Sequence, residues 1–334
     1  MERERKPILE VCGLSKRYTE HDGRHLLGSV SNQAVREVSF TIRSGETFGI
    51  VGESGCGKST VARLVMGLER PDAGSVTFRG TRISGLPERR LRALRPRFQM
   101  VFQDSGSSLN GRKRVEDILR EPMVYHGLVS RREAHARVDE LLEMVGLPAG
   151  AGNRYPHEFS GGQRQRICIA KALSLSPELI ILDEPVSALD VSVQAQILNL
   201  LRDLQARLGV AYLFIGHGLG VVHYISDRIA VMYRGRIVET GDAEELFRHP
   251  VHPYTRALLD AAPVADFQAR DRERIVLRGE VGLVDWDGGC AFRSRCPCAC
   301  EGCARASCNL RPIAAGSGHE AACPMGASGE ERAE

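Results

Sequence analysis

Gly52-Glu53-Ser54-Gly55-Cys56-Gly57-Lys58-Ser59 fits the pattern G-x-x-x-x-G-K-[ST] and directly follows an apolar run, Thr47–Val51, that reads as a strand. This is the spacing of a phosphate-binding loop. Glycines let successive backbone N–H groups point inward at an anion, and the helix that follows adds the positive end of its dipole. In such a loop Lys58 reaches the β- and γ-phosphates, the Ser59 hydroxyl holds Mg2+, and Thr60 continues the helix N-terminus. A glycine-rich turn with a chance lysine is the plain alternative, and the motifs downstream weigh against it.

The chain has 334 residues, enough for about two domains with a large core in the first. Lys plus Arg number 45 against 42 Asp plus Glu, a net charge of +3, so there is no electrostatic case for a nucleic acid partner. No apolar run approaches the ~18 residues of a membrane span. The opening Met1-Glu2-Arg3-Glu4-Arg5-Lys6-Pro7 lacks the apolar stretch of a secretory signal. A cytoplasmic location with reduced thiols is therefore expected.

Ten cysteines are many for such a compartment, and their placement is uneven. Cys12, Cys56 and Cys168 are scattered, whereas the other seven lie between Cys290 and Cys323. Pro250, Pro253 and Pro263 punctuate the end of the regular pattern. We place a domain boundary near Ala262, which divides the chain into 1–262 and a cysteine-rich extension, 263–334. Before it, apolar β-branched runs alternate with helical stretches, as in an α/β core with a buried sheet. Strands are expected at 178–183, 211–215 and 229–233, and helices at 57–68 and 191–208. Helical spacing dominates from 115 to 145, marking a helical subdomain over roughly 104–175.

Leu179-Ile180-Ile181-Leu182-Asp183-Glu184 is a buried-strand pattern that ends in two carboxylates. Beside a phosphate loop, Asp183 suits a magnesium ion held through water. Glu184 suits the orienting and polarising of an attacking water, because phosphoryl transfer depends mainly on positioning and charge stabilisation. Two acids after a strand also commonly cap the next helix.

Phe159-Ser160-Gly161-Gly162-Gln163, followed by Arg164-Gln165-Arg166, resembles the signature motif of ATP-binding cassette (ABC) proteins, with Phe159 where leucine is usual. Physically it is a second glycine-containing helix N-terminus, able to offer N–H groups and the Ser160 hydroxyl to a phosphate, or simply a serine-capped helix. The resemblance implies that Ser160, Gly161, Gly162 and Gln163 serve the nucleotide held by an opposite subunit. Val101-Phe102-Gln103-Asp104 is similar to the glutamine loop, which implies that Gln103 touches magnesium and water and couples to a membrane partner. Ser187-Ala188-Leu189-Asp190 resembles the D-loop, so Asp190 is expected to communicate across a dimer. Phe214-Ile215-Gly216-His217 resembles the switch-histidine loop, which implies a γ-phosphate contact for His217. Gly216 and Gly218 stand where serine and aspartate are usual, so a more flexible loop and slower turnover are expected. Tyr18 is a candidate for stacking on adenine, or a packing tyrosine.

His252-Pro253-Tyr254-Thr255-Arg256-Ala257-Leu258-Leu259 resembles the element after the ATPase core in ATP-binding subunits of peptide and nickel importers. Gly289-Cys290-Ala291-Phe292, Arg295-Cys296-Pro297, Cys303 and His319-Glu320-Ala321-Ala322-Cys323 match that family's cysteine-rich extension at its spacing. An insertion around residues 20–33 is similar to one in the second-type ATPase of such importers. The resemblance implies a 4Fe-4S cluster on Cys290, Cys296, Cys303 and Cys323. Cys300-Glu301-Gly302-Cys303 has a C-x-x-C spacing that suits zinc equally, and a metal-free extension stays open. A metal staple suits a tail this short and this poor in large apolar residues.

The implied fold is an ABC-type P-loop ATPase core with a helical subdomain and a small cysteine-rich extension. The implied function is hydrolysis of ATP, with Mg2+, to energise import of di- or oligopeptides, nickel or related solutes. The expected location is peripheral, on the cytoplasmic face of the plasma membrane. Implied partners are two transmembrane permease subunits, a second related ATPase or a second copy of this chain, and an extracytoplasmic solute-binding protein. Two alternatives come from other classes. One is a cassette ATPase of DNA repair or translation, although such chains usually carry two cassettes or a long coiled coil. The other is a metal or redox sensor built on the cysteines.

Overall fold

The computed structural model describes residues 6–21, 29–261, 288–314 and 316–323. In chain order come β1 (Pro7–His21), β2 (Ser29–Arg43), β3 (Thr47–Val51), α1 (Lys58–Val65), β4 (Ala73–Phe78), β5 (Thr81–Arg82), α2 (Glu88–Leu94) and β6 (Phe98–Val101). A helical run follows: α3 (Ser105–Ser108), α4 (Val115–Tyr125), α5 (Ala134–Met144) and α6 (Gly161–Leu173). Then come β7 (Leu179–Asp183), α7 (Val191–Leu208), β8 (Ala211–Gly216), α8 (Leu219–Ile225), β9 (Arg228–Tyr233) and β10 (Arg236–Asp242). The chain continues through α9 (Ala243–Arg248) and α10 (Pro253–Asp260), and its extension adds β11 (Arg311–Pro312) and β12 (Glu320–Ala321). The boundary placed near Ala262 and residues 22–28 of the insertion at 20–33 lie outside the described residues.

An eight-stranded sheet in the order β11-β12-β10-β9-β3-β8-β7-β6 forms the centre. Its five strands from β9 to β6 run parallel. These strands are buried on both faces, which is why they read as unbroken apolar runs rather than alternating ones. Successive residues still divide between two cores. Ile180, Leu182, Tyr212 and Phe214 pack with the helical run and α7, whereas Ile181, Leu213 and Ile215 pack toward α1 and an antiparallel sheet, β2-β1-β4-β5. The molecule is thus layered as antiparallel sheet and α1, central sheet, then helices. Gly49 lets α8 press onto β3, since a Cβ there would lie 2.4 Å from Val222 Cγ1.

The expected elements are present with small shifts at their ends. Strand Thr47–Val51 and helix Val191–Leu208 begin and end where the pattern placed them. The helix after the phosphate loop is shorter than expected, ending at Val65, because Gly67, at φ +65°, breaks it in a left-handed conformation.

The extension is not free-standing. β12 pairs antiparallel with β10, so the tail extends the edge of the central sheet. Phe292, 1% exposed, enters an aromatic cage of Tyr233, Tyr254 and His252 at ring separations of 5.4, 5.4 and 5.9 Å. Glu239, fully buried on β10, accepts from the Val251 and His252 backbone N–H groups at 2.8 and 2.9 Å and meets His319 Nε2 at 2.8 Å. The tail has few large apolar side chains and borrows its core from the ATPase domain.

Candidate nucleotide site

Parallel pairing places the active loops at one edge. Ile50, Ile215 and Asp183 share a register row, Val51 pairs with Gly216, and Val101 pairs with Leu182. The phosphate loop, the Asp183-Glu184 pair, the His217 loop and the Gln103 loop therefore all leave the sheet at its carboxyl end, where α/β sheets bind ligands.

The phosphate loop wraps the N-terminus of α1, whose first N–H groups, on Lys58, Ser59 and Thr60, have no acceptor within the helix. Two of its glycines are sterically required. A Cβ at Gly52 would sit 2.2 Å from the Met232 carbonyl oxygen, and one at Gly57, at φ +106°, would sit 2.1 Å from that of Ala34. Lys58, 3% exposed, donates to the carbonyls of Gly52 and Glu53 at 2.7 and 2.9 Å. Its ammonium is thereby held over the mouth of the loop. Ser54 and Gly55 line the exposed rim, and Cys56, 1% exposed, faces inward. Burial pushes the Cys56 thiol up, which keeps it neutral beside Lys58.

Ser59 Oγ donates to Asp183 Oδ1 at 3.0 Å. Burial pushes the Asp183 carboxyl above its ordinary range, partly offset by this hydrogen bond. A buried carboxylate with a hydroxyl beside it fits magnesium, which takes one or two carboxylates and completes its shell with water and phosphate oxygens. When bound, the ion neutralises charge on the phosphates.

Glu184 sits between two partners. Gln103 Nε2 donates to its Oε2 at 3.1 Å, and His217 Nδ1 lies 3.8 Å from the same oxygen. Glu184 itself adopts φ +47°, an unfavourable conformation for a side chain of this kind and one that clusters at functional sites. Beside it a cavity of about 40 Å³ is lined by Glu184, Ser187, Gln194, Gly216 and His217. That is room for an ordered water.

Gly216 also has a packing role. Gly216 belongs to β8, and a Cβ there would lie 2.8 Å from Val222 Cγ2. Glycine is demanded by the packing of α8. Gly218 is the residue before α8, with extended backbone.

Ser160 caps α6 in a reciprocal box. Gln163 N–H donates to Ser160 Oγ at 3.3 Å, and Ser160 N–H donates to Gln163 Oε1 at 3.0 Å. The capping reading therefore holds, and it leaves the glycines presenting the helix N-terminus. Gly162 has no room for a side chain, since a Cβ would lie 2.4 Å from Val193 Cγ1. Phe159 is buried and fills the apolar position expected of leucine. Asp190 precedes α7, with no hydrogen bond from its side chain to that helix end. Tyr18 hydrogen-bonds Glu69, and burial pushes its phenol up. Thr60, in the first turn of α1, is among the neighbours that influence the Tyr18 phenol, so the ring lies close to the N-terminus of α1.

Comparison with known proteins agrees with this geometry. Residues 35–187 match the ABC transporter family, and residues 238–303 match the C-terminal region of oligopeptide/dipeptide transporters. YkfD of Bacillus subtilis (strain 168) is 51% identical over 93% of this chain and 94% of its own length. The chain belongs to the ABC transporter ATPases. It hydrolyses ATP with Mg2+ and has the family's C-terminal region. AppF of the same strain, an oligopeptide transport ATP-binding protein, is 50% identical over 87% of this chain and 90% of its own length. Among solved structures, the ATP-binding cassette MJ0796, as a post-hydrolysis dimer with ADP and Pi, matches with a TM-score of 0.62 and 26% identity over 70% of this chain and 98% of its own. The structure of cbiO1 from Clostridium perfringens, part of the cbiONQ transporter complex, matches at 0.63 and 28%, over 73% and 91%.

The cysteine extension departs from expectation. Among the described residues, no group of three or more His, Cys, Asp or Glu side chains is arranged around a metal position. The thiols associate in pairs instead. Cys300 and Cys303 lie 3.5 Å apart, and a hydrogen bond from Cys290 brings Cys308 down to about 7. Cys290 N–H donates to the Cys303 carbonyl at 2.7 Å, but Cys290, Cys296, Cys303 and Cys323 are not gathered into the implied tetrad. Sequence reasoning also missed Tyr254 and Arg295 as neighbours of the phosphate loop. Both stood inside recognised patterns, but nothing in their spacing shows which part of the core they touch.

Proposed function

We propose that this chain is the ATP-hydrolysing subunit of a membrane importer for peptides or related solutes. The observation that carries the reading is Glu184, held between Gln103 and His217 beside a water-sized cavity at the carboxyl edge of the sheet. Lys58 and the N–H groups of Gly55, Gly57, Lys58, Ser59 and Thr60 would take the β- and γ-phosphates. Ser59, Asp183 and Gln103 would hold magnesium. Glu184 would accept the proton of the attacking water, and His217 would contact the γ-phosphate. Ser160, Gly161, Gly162 and Gln163 of one subunit, with Asp190 beside the seam, would close over nucleotide on another. A dimeric cassette of the same fold supports that arrangement.

The permease would dock on the helical side of the Gln103 loop. There Ser107, Asn110, Lys113, Glu121 and Tyr125 line a cavity of about 730 Å³, and Phe102 and Tyr125 are 45% and 69% exposed. Large exposed aromatic groups beside a groove are a common feature of protein-binding surfaces. No helix among the described residues is long and apolar enough to cross a membrane, so the chain would attach peripherally, on the cytoplasmic face. The names of the relatives support peptides as cargo, with nickel complexes as the runner-up. A second, related ATPase and a solute-binding protein would complete the system.

The extension would carry a 4Fe-4S cluster on Cys290, Cys296, Cys303 and Cys323, acting as a structural staple. Its support is the resemblance of the cysteine spacing to the family pattern. Iron and acid-labile sulfide in the anaerobically purified chain test this, and zinc in their place would select the C-x-x-C reading. The function as a whole is tested by tagging the chain, solubilising its native membranes gently and identifying what co-purifies. Two permease subunits with a second cassette ATPase are expected. Recovery only with ribosomes or DNA-repair proteins would overturn the reading.

A further inference from the structure

Glu53 is the second residue of the phosphate loop, a position the loop pattern leaves unspecified. Every polar group it has is nevertheless engaged. Its carbonyl accepts from Lys58 Nζ at 2.9 Å and from the Cys56 N–H at 3.3 Å. Its own N–H donates to the Tyr254 hydroxyl at 2.8 Å. Its carboxylate is gripped by both terminal nitrogens of Arg295, at 2.7 and 2.8 Å. The last two partners lie far along the chain, Tyr254 on α10 and Arg295 in the cysteine-rich extension, 201 and 242 residues away.

The surroundings make this a built clamp rather than a surface pair. The Arg295 side chain is 7% exposed and lies over the Tyr233 ring, 5.9 Å from its centroid. Tyr233, Tyr254 and Phe292 pack on one another, with Tyr233 and Tyr254 at 4.7 Å, so guanidinium and phenol are held by the same aromatic cluster. Arg295 ends a short 3-10 turn, Arg293–Arg295, bracketed by Cys290 and Cys296. Two parallel charge-assisted hydrogen bonds fix the direction of the carboxylate as well as its distance. Exposed ion pairs contribute little, but a largely desolvated bidentate pair is of another kind.

We infer that Arg295 is a positioning residue for ATP binding: the cysteine-rich extension holds the phosphate loop in its anion-receiving shape through Glu53. This rests on the phosphate-loop reading above and adds an element from outside the cassette core to the site. The physical reason is preorganisation. A loop of glycines loses much conformational freedom when it closes on phosphate, and a clamp that removes that freedom beforehand lowers the cost of binding. Arg295 has no need to touch the nucleotide. The Tyr233, Tyr254 and Phe292 cluster sets where its guanidinium sits, so the docking of the extension is placed to tune the affinity of the loop.

The test uses the full chain. Binding of a fluorescent ATP analogue with Mg2+ gives Kd, and steady-state hydrolysis gives KM and kcat, for Arg295→Ala, Arg295→Lys, Glu53→Gln and the double variant Arg295→Ala/Glu53→Gln. Arg295→Ala is expected to raise Kd and KM about tenfold, with the smaller share of the change in kcat. Glu53→Gln should do the same, and the double variant should be no worse than the larger single effect, because both remove one interaction. Arg295→Lys, which keeps the charge and loses the fork, should fall between. A Kd for Arg295→Ala within twofold of the parent, with only the melting temperature lowered, would overturn the inference, as would single effects that multiply in the double variant. If Arg295→Ala does not fold, Arg295→Lys and Glu53→Gln decide: parental Kd in both refutes the clamp. Lys58→Ala separates the two readings. If it too binds nucleotide normally, the phosphate-loop assignment has failed; if it alone loses binding, only the clamp has.

Discussion

Replacing Glu184 by glutamine tests the hydrolytic site most directly. The side chain is 15% exposed, takes one hydrogen bond from Gln103 and has a 40 Å³ cavity beside it. Glutamine keeps the shape, pays the same backbone cost at φ +47° and still offers one oxygen to Gln103. What it cannot do is accept a proton from water. General base catalysis is worth ~10²–10⁴-fold, or about 3–5 kcal/mol of barrier, and kcat should fall by that factor. Binding should move the other way. The Glu184 charge is one of the influences that raise the Asp183 carboxyl, so removing it eases ionisation of Asp183 and leaves Mg-ATP affinity equal or tighter. Melting temperature should change by less than about 2 °C, as no buried partner loses its bond. Single-turnover hydrolysis and equilibrium binding on the same preparation read both quantities. A kcat within tenfold of the parent, or a clearly weakened Kd, would refute Glu184 as the base.

Magnesium binding should depend on pH through Asp183. Burial raises its folded pKa, so on lowering the pH Asp183 takes up a proton earlier than an ordinary carboxylate, and that proton competes with Mg2+. Mg-ATP affinity is expected to fall as pH drops into a range above the ordinary carboxylate value, while metal-free stability, taken relative to Asp183→Asn, rises over the same range. Titration of Mg2+ affinity at several pH values checks the sign, and a flat profile matching that of Asp183→Asn would contradict it. Glu239→Gln should loosen the extension, because one amide oxygen cannot serve the Val251 and His252 N–H groups and His319 together. A loss of about 3 kcal/mol, on the order of 5 °C in melting temperature, is expected, with faster hydrogen exchange in β12. Unchanged exchange there would show that the buried carboxylate does not hold the tail.

Chemistry was legible where it depends on short spacing. Gly52 to Ser59, Asp183-Glu184, Ser160 to Gln163 and His217 each carry the pattern for their proposed role in adjacent residues, because a loop around an anion or a helix N-terminus is a local object. Apolar runs such as Leu179–Asp183 likewise announce strands buried on both faces. Gly216 has a second reason to be glycine, the closeness of Val222 on α8, a steric neighbour that composition does not reveal. The cysteines show the same limit, since spacing names potential ligands without saying which thiols face one another.

From its order of residues alone the chain declares a phosphate-loop pattern, a candidate hydrolytic carboxylate and its family membership, since each of those signals is contained within one turn or one strand end. Tertiary structure decided everything that joins distant segments. It brought Gln103 and His217 to the same oxygen of Glu184 through the register of four parallel strands. It also carried Arg295 across 242 residues to Glu53, bringing the cysteine-rich tail against the phosphate loop. Such contacts are set by which faces pack together in space, and no interval along the chain encodes them.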